Sequence, residues 1–568
     1  LGMLYAGAPS TKLSAVTITD VATVFPQVEE HFSRMFGMEP QIGRNPVVAV
    51  LPRSVGIAGP TKIRRSPLYG KWSKPYKKPA YLRNHVNDDG EEVDPYLAAV
   101  QSLEKDKPVF NTDRMDVAIG YTFTNLNNFS PVPLVPEKLT VQEVVHGREG
   151  DPYLSGLDRS TSMGYPLTDE IDTRLYPGKS YFMGDPIAGT TGKLGELEDK
   201  VSEAEEMILE GKRPDFYYVV SLKDETLPIE KANRKTRSFA AAPLLLTVLL
   251  LKYFGAMQKW VMQNKILNGM SIGINPYGTD WHALFKYLTS IGRNILEGDY
   301  SQYDKMMDGA TMEKIACRMV NLMGYTGNDA IIALAALTEV FKSRQAIGKK
   351  VYEVDGTNPS GQALTILINC LYNLCLIAYV WLEVYDDNTT LRRFNEEVRA
   401  QVGGDDLVIA VGEASQSKFN AVTYANVLKS YGLKFTSVTK GDVEQPFVDI
   451  TSASFLKRTF RYDPFLRRVV GPLDLATILE IPYWTKTGIL RDQICKDNVD
   501  VAIDELALHP KDVYDKYSKV LSSHSKETLR YVPLVLPYQS ALLAVSSRDP
   551  VLCQLHGKPR PIKGVEWV

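Results

Sequence analysis

Apolar and polar positions along this chain switch repeatedly between two periods. The run Phe216 to Leu222 (Phe-Tyr-Tyr-Val-Val-Ser-Leu) predicts a strand that leads directly into a charged loop. Arg293 to Gly298 predicts a short strand, and Val402 to Val411 a strand–turn–strand hairpin bent at Gly403-Gly404-Asp405-Asp406. Helical spacing appears at 197–212, a Glu-rich amphipathic stretch ending at Gly211. It returns from Thr311 onward and at Lys418 to Tyr431, where Gly432 stops it. From about 462 the pattern is mainly helical, with Pro-rich breaks near 533–537. Strands and helices mix without strict βαβ alternation, which predicts an α+β core with helical additions.

Two apolar runs raise the question of a membrane span. Ala240 to Leu251 is too short to cross a bilayer, and Pro243 interrupts it. Gly356 to Leu382 carries no charge and is long enough. Within it, however, Thr365, Asn369 and Asn373 recur every four residues and share one helical face. A lipid-facing helix would not keep such a stripe. The expectation is a buried helix with its polar face towards a cavity, and no intrinsic membrane span.

Composition narrows the picture only slightly. At 568 residues the chain exceeds one simple core, and the size of ordinary domains suggests about three or four units. Hydrophobic and charged contents of 44% and 23% are those of a folded protein. A net charge of −2 excludes a wholesale basic surface, so nucleic-acid binding would rest on local patches. Cys317, Cys370, Cys375, Cys495 and Cys553 show no C-x-x-C spacing. With only seven His, neither a disulfide framework nor a zinc site is expected, and a reducing compartment fits. The start, Leu-Gly-Met-Leu-Tyr, lacks the pattern of a secretory signal, and without an initiator Met it reads as a fragment or a proteolytic product.

Chemistry enters through three short strings in a fixed order: Asp299-Tyr-Ser-Gln-Tyr-Asp304, then Ser360-Gly361 with Thr365 and Asn369, then Gly404-Asp405-Asp406. Any single Asp is by default a turn or cap residue. Two carboxylate clusters on neighbouring strands would instead converge at one sheet edge. Joining nucleotides requires in-line attack on an α-phosphate, which two divalent ions about 4 Å apart can assist. Such hard ions want carboxylate oxygens on rigid backbone. Asp304 paired with Asn369 would read a ribose 2′-hydroxyl. Ser360-Gly361 is expected to open the helix, Ser as its N-cap and Gly for close backbone approach.

Three further stretches carry weaker signals. Lys223-Asp-Glu through Lys231, Arg234, Lys235 and Arg237 forms a basic loop suited to a triphosphate, or simply an exposed charged loop. Lys440, nine residues after Tyr431, is either a proton donor to a leaving pyrophosphate or an ordinary surface lysine. Residues 53–83 interleave Arg53, Lys62, Arg64, Arg65, Lys71, Lys74, Lys77 and Lys78 with Tyr69, Trp72, Tyr76 and Tyr81. Cations beside stacking rings suit a nucleic-acid channel, and equally a Pro-rich surface loop.

The ordered strings resemble the motifs of positive-strand RNA virus RNA-dependent RNA polymerases of the picorna-like group. Asp299–Asp304 resembles motif A, Ser360-Gly361 with Thr365 and Asn369 motif B, Gly404-Asp405-Asp406 motif C, and Tyr431–Lys440 motif D. Phe455-Leu456-Lys457-Arg458 is similar to motif E, Lys223 through Arg237 to motif F, and Ser160 to Pro166 to motif G. The likeness spans about residues 53 to 462, with Gly59-Pro60-Thr61-Lys62 to Leu68 similar to the start of these enzymes. The basic, aromatic run at 59–81 most resembles dicistrovirus and iflavirus relatives.

The resemblance implies a closed right hand of α+β class, with fingers, a palm of antiparallel sheet flanked by helices, and a helical thumb. The implied division is an N-terminal extension at 1–52 packing on the fingers, fingers at 53–254, palm at 255–337 and 357–461, a fingers insertion at 338–356, and thumb at 462–568. It implies two Mg²⁺ ions, with Mn²⁺ as substitute, on Asp299, Asp405 and Asp406, and Lys440 as a catalytic residue. Nucleotide contacts would come from Lys223, Lys235, Arg237, Asp304, Ser360, Thr365 and Asn369. RNA contacts would come from Ser162, Gly164, Tyr165, Pro166, Gly361, Lys457 and Arg458. Implied partners are template and primer RNA, ribonucleoside triphosphates, a small genome-linked protein primer and other viral replication proteins. The implied location is host cytoplasm, at virus-induced replication membranes reached through partners. Two departures stand out: Gly403 replaces the usual Tyr before Gly-Asp-Asp, which is expected to loosen the turn, and the first fifty residues exceed the usual start. Within catalysis the rival is reverse transcription, which Asp304 with Asn369 disfavours. Outside it, the rival is an inactive RNA-binding scaffold.

Overall fold

The computed structural model describes residues 45–185, 189–233, 236–438, 441–488 and 490–548. Two sheets organise it. The first has four strands in the order Val47–Val55, Lys342–Asp355, Tyr217–Leu222, Ser238–Ala241. Its central pair is parallel (Arg344 beside Tyr217), and both outer pairs are antiparallel. The second sheet is antiparallel throughout, in the order Val398–Gly403, Asp406–Val411, Asn294–Tyr300, Phe435–Thr436, with Val448–Asp449 also pairing on Asn294–Tyr300. Its strands are short apolar runs such as Leu407-Val-Ile-Ala-Val411, all buried, because helices cover them.

Helix Thr365–Tyr385 is the core of the molecule, with residues such as Leu371, Cys375 and Trp381 fully enclosed. Helix Thr112–Asn128, capped by Asn111 accepting from the Arg114 N–H, packs along it. The apolar run after Pro243 proves longer than the sequence suggests. The helix continues from Leu244 to Gln263, since its second half alternates apolar and polar residues and escapes a simple hydropathy reading. Both helices are long and apolar enough to cross a membrane, and most of each is buried inside the protein.

Residues beyond 462 begin with a two-stranded hairpin, Arg461–Asp463 with Arg468–Val470. Helices Arg491–Leu506, Lys511–Leu529 and Tyr538–Ser546 then enclose a second core around Leu506, Leu521 and Leu542. This C-terminal layer is tied back to the start of the chain, because Trp484–Lys486 pairs with Ile63–Arg65. The rings at 59–81 serve that tie. Trp72 stacks on Tyr483 at 4.7 Å and donates to the Leu479 carbonyl at 3.0 Å, while Tyr69 meets Trp484 edge-on at 5.2 Å. They are therefore packing residues rather than a stacking platform, and only Tyr81, set on His85, is exposed. The run is loop except for Ile63–Arg65 and Lys77–Pro79.

Candidate active site

The hairpin tip and the end of strand Asn294–Tyr300 meet at one edge of the second sheet. Leu407 pairs with Gly298, and the same register, continued by one residue, sets Asp406 opposite Asp299. On the other flank Asp299 pairs with Thr436. Gly298 is needed there for space: a Cβ would lie 2.2 Å from the Phe435 ring. At the tip Gly404 has φ +81°, which glycine adopts freely, and this turn leaves Asp405 exposed and Asp406 half-buried. Burial and the adjacent Asp405 charge push the Asp406 carboxyl up to about 6, against an opposing pull from Lys457.

Helix Thr365–Tyr385 holds this tip from beneath. The Gly404 N–H donates to Cys370 Sγ at 3.1 Å, and Asn373 Nδ2 donates to the Gly404 carbonyl at 3.0 Å. Asn373 Oδ1 in turn accepts from the Tyr300 hydroxyl at 3.0 Å, which also bonds Tyr424 at 2.6 Å. One buried amide thus couples the two carboxylate-bearing segments. The spacing of the polar stripe exposed Asn373; nothing in the sequence pointed to Cys370.

Beside the tip, Asp304, Lys305, Thr357, Pro359 and Ser360 line a narrow pocket. Burial raises the Asp304 carboxyl above the usual range, and the Asp405 charge adds to this. Asp304 and Asn369 are brought together through a residue that sequence reading missed, Asn358. Its N–H donates to the Asp304 carbonyl at 2.8 Å and its Nδ2 to Asn369 Oδ1 at 2.6 Å. Gln362 Nε2 holds the Asn358 Oδ1 at 2.9 Å. An isolated Asn in a loop carries no distinctive spacing, so only the fold reveals it.

Several expectations change. The helix begins at Thr365, not at Ser360, so Ser360 is not its N-cap; Leu364 holds that position without a side-chain bond. Ser360-Gly361 forms an exposed loop bridged to Ala241, where a Cβ on Gly361 would lie 2.4 Å from the Ala240 carbonyl. The Thr365 hydroxyl is directed to the carbonyls of Pro359 (3.0 Å) and Gln362 (2.8 Å), so it shapes this loop. Arg458 is not available to RNA: it is buried, paired to Glu505 at 2.9 Å, and donates to the Gly471 carbonyl at 2.8 Å. Nor is the turn at Gly403 loose, because Leu456 and Phe455 occupy the space beside it.

Lys223 and Arg237 lie at the two ends of the segment joining strands Tyr217–Leu222 and Ser238–Ala241, and are tied by the Lys223 N–H to the Arg237 carbonyl. Arg237 is exposed and its charge acts on Asp304. Asp224 accepts from Thr61 Oγ1 at 2.5 Å and the Lys62 N–H at 2.7 Å, fixing the loop to the first strand region. Lys235 and Lys440 lie outside the described residues. Ser162 is exposed and accepts from the Gly164 N–H at 3.1 Å; Gly164 (φ +73°) sits against Pro243, and Tyr165 stacks on Tyr217 at 6.0 Å, with Pro166 next in line. An open cleft of about 590 Å³ lined by Lys105, Ser301, Gln302 and Lys434 adjoins the Asp299–Asp304 segment.

Among the described residues no three His, Cys, Asp or Glu side chains close a cage around a metal. The donor set fits Mg²⁺ nonetheless, since that ion keeps several waters and typically takes one or two carboxylates plus substrate phosphates. Adjacent like-charged carboxylates at Asp405 and Asp406 are what a bound cation would relieve.

The sequence model of the family described as viral RNA-dependent RNA polymerase matches residues 71–522. The replicase polyprotein of Cricket paralysis virus is 28% identical over 552 residues, covering 94% of this chain and 31% of that protein. The replicase polyprotein of Acute bee paralysis virus is 30% identical over 82% of this chain and 25% of its own length. The RNA1 polyprotein of Broad bean wilt virus 1 is 30% identical over 72% of this chain and 22% of its own. The chain therefore spans about a third or less of these curated relatives. A solved structure, the Sicinivirus 3Dpol RNA dependent RNA polymerase, shares the fold with TM-score 0.70 at 21% identity, over 90% of this chain and 99% of that one.

Proposed function

The chain belongs to the viral RNA-dependent RNA polymerases of the picorna-like group, and on that premise we propose that it copies RNA templates by nucleotidyl transfer from ribonucleoside triphosphates, releasing pyrophosphate. The observation that carries this reading is the strand register that gathers Asp299, Asp405 and Asp406 at one sheet edge. Asp299 and Asp405 would hold two Mg²⁺ (or Mn²⁺) ions, with Asp406 assisting. When bound, such ions stabilise charge on the attacking and leaving oxygens.

The protein's own groups supply position and discrimination. Asp304 and Asn369, held in mutual register by Asn358, read the sugar 2′-hydroxyl, with Ser360 and Thr365 shaping the loop beneath. Lys223, Lys235 and Arg237 orient the triphosphate as point charges and a guanidinium fork. The cleft at Lys105 and Lys434 is its route in. Lys440 gives a proton to the departing pyrophosphate. Ser162, Gly164, Tyr165 and Pro166 guide the template, Gly361 lets it pass close to backbone, and Lys457 steadies the primer.

In this reading the first sheet and its surrounding helices are the fingers, the second sheet the palm, and the layer after 462 the thumb. Template, primer and ribonucleotides are the direct partners. A small genome-linked protein primer, other viral replication proteins and a location on cytoplasmic replication membranes complete the proposal.

The test is extension of a labelled RNA primer–template with Mg²⁺, offering ribonucleotides and deoxyribonucleotides separately, with Asp405→Ala alongside. Ribonucleotide extension that disappears in the variant supports the assignment. Tight RNA binding without extension in either Mg²⁺ or Mn²⁺ would instead favour a scaffold, and equal use of deoxyribonucleotides would remove the sugar-reading role.

A further inference from the structure

Gly403 has no backbone need to be glycine. Its φ lies outside the left-handed region, unlike that of Gly404 at +81°. What it lacks is room: a Cβ there would sit 2.8 Å from Leu456 Cδ2 and 3.3 Å from Phe455 Cζ. The neighbour that takes this space lies on a tight turn, Phe455–Arg458, closed by reciprocal backbone bonds of 2.9 Å. Both central residues of that turn have positive φ, Leu456 at +51° and Lys457 at +60°.

Two positive φ values in a two-residue turn are the mark of a type I′ turn, which favours Asn-Gly. Leu and Lys are poor residues for it, so the surroundings must hold them there. They do so at both feet. Phe455 is buried and stacks on Trp281 at 6.3 Å, while Arg458 is locked to Glu505 and to the Gly471 carbonyl. The Asp474 N–H further holds the Lys457 carbonyl at 3.2 Å. A disfavoured conformation kept by this much structure aims the Leu456 side chain at the catalytic hairpin.

We propose that Leu456 is a positioning residue for the Asp405–Asp406 tip, acting as the lid that a side chain at 403 would otherwise provide, so that Gly403 and Leu456 form a complementary pair. This rests on the reading above that the two carboxylates serve nucleotidyl transfer. The tip is then fixed on two sides, by Cys370 and Asn373 from the long helix and by Leu456 from the turn. A one-sided support would leave the two carboxylates free to tilt. Displacement of reacting groups by about 1 Å can cost on the order of 100-fold in rate.

The experiment is a double-mutant cycle of Gly403→Ala, Leu456→Ala and the pair. It would record single-nucleotide incorporation (kcat and nucleotide KM), RNA affinity, melting temperature, and Mn²⁺ affinity by electron paramagnetic resonance. Gly403→Ala is expected to lower kcat by about tenfold, with nucleotide KM and RNA affinity unchanged, and to weaken Mn²⁺ binding. Adding Leu456→Ala should recover most of that loss. Leu456→Ala alone should lower kcat by a smaller factor without changing KM. An unchanged kcat in Gly403→Ala, or a loss that the second substitution does not relieve, overturns the pairing. Should Gly403→Ala not fold, full kcat in Leu456→Ala overturns it equally. If the unaltered chain shows no incorporation, the functional reading has failed, and the Mn²⁺ affinities alone decide the pairing by the same pattern.

Discussion

Two places in this molecule gather charge, one buried and one at a partly exposed turn, and they handle it in opposite ways. At Arg458 the guanidinium forks onto Glu505 with bonds of 2.9 and 3.0 Å, donates to the Gly471 carbonyl, and lies over the Tyr277 ring at 5.1 Å. Opposite charges meet, and the guanidinium's hydrogen bonds are made within the protein. At the hairpin tip Asp405 and Asp406 are neighbours of like sign, with Asp299 across the strand, and Lys457 offsets part of the strain at Asp406. The first arrangement is complete by itself. The second would become favourable when something positive arrives, the difference expected between a structural charge cluster and the proposed metal site, although the turn Phe455–Arg458 adjoins both.

Asp405→Ala should break the comparison most sharply. Incorporation should fall by roughly 10³-fold or more, about 4 kcal/mol of transition-state stabilisation, while RNA affinity holds. Mg²⁺ should raise the melting temperature of the unaltered chain and not of this variant; retained activity would remove Asp405 from the metal site. Arg458→Ala attacks the self-sufficient cluster and should cost about 3–5 kcal/mol of stability by stranding Glu505. Denaturant unfolding reads this, and a loss below about 1 kcal/mol would show a solvent-compensated pair instead.

Smaller changes sharpen the contrast. Asn369→Ala should erode discrimination against deoxyribonucleotides by about tenfold, on the order of 1–1.5 kcal/mol. Asn358→Ala should do the same to a lesser degree, since it acts indirectly, by holding Asn369 and the Asp304 backbone. Identical discrimination in both variants would place sugar recognition elsewhere. Asp406→Asn should slightly stabilise the metal-free protein, by about 1 kcal/mol or less, since it removes one of two adjacent like charges. A clear drop in melting temperature would mean that the tip is already compensated.

Much of this was readable along the chain, and the parts that were not share a cause. The hairpin at 402–411 was legible because short apolar runs broken by Gly-Gly-Asp-Asp have few other solutions. The long helix was legible from its four-residue polar stripe, which also marked Asn373. Arg458 was misread because a cation in a loop looks the same in sequence whether it faces RNA or a carboxylate 47 residues away. For Trp72 and Tyr69 the sequence left a nucleic-acid channel and a surface loop both open, since ring partners at Tyr483 and Trp484 lie more than 400 residues along the chain. Asn358 and Cys370 gave no signal at all, being single polar residues whose only distinction is what they touch.

What the sequence determined by itself is therefore local: which stretches alternate or wind, where glycine permits a turn, and which acidic residues sit at the strand ends. Those follow from backbone sterics and side-chain period, which act over a few residues. The tertiary structure decided which charges meet opposite ones and which meet like ones, because that depends on distances between segments far apart in the chain. It also decided that Gly403 is filled by Leu456 rather than loose, since volume at one site is set by whichever distant side chain reaches it first.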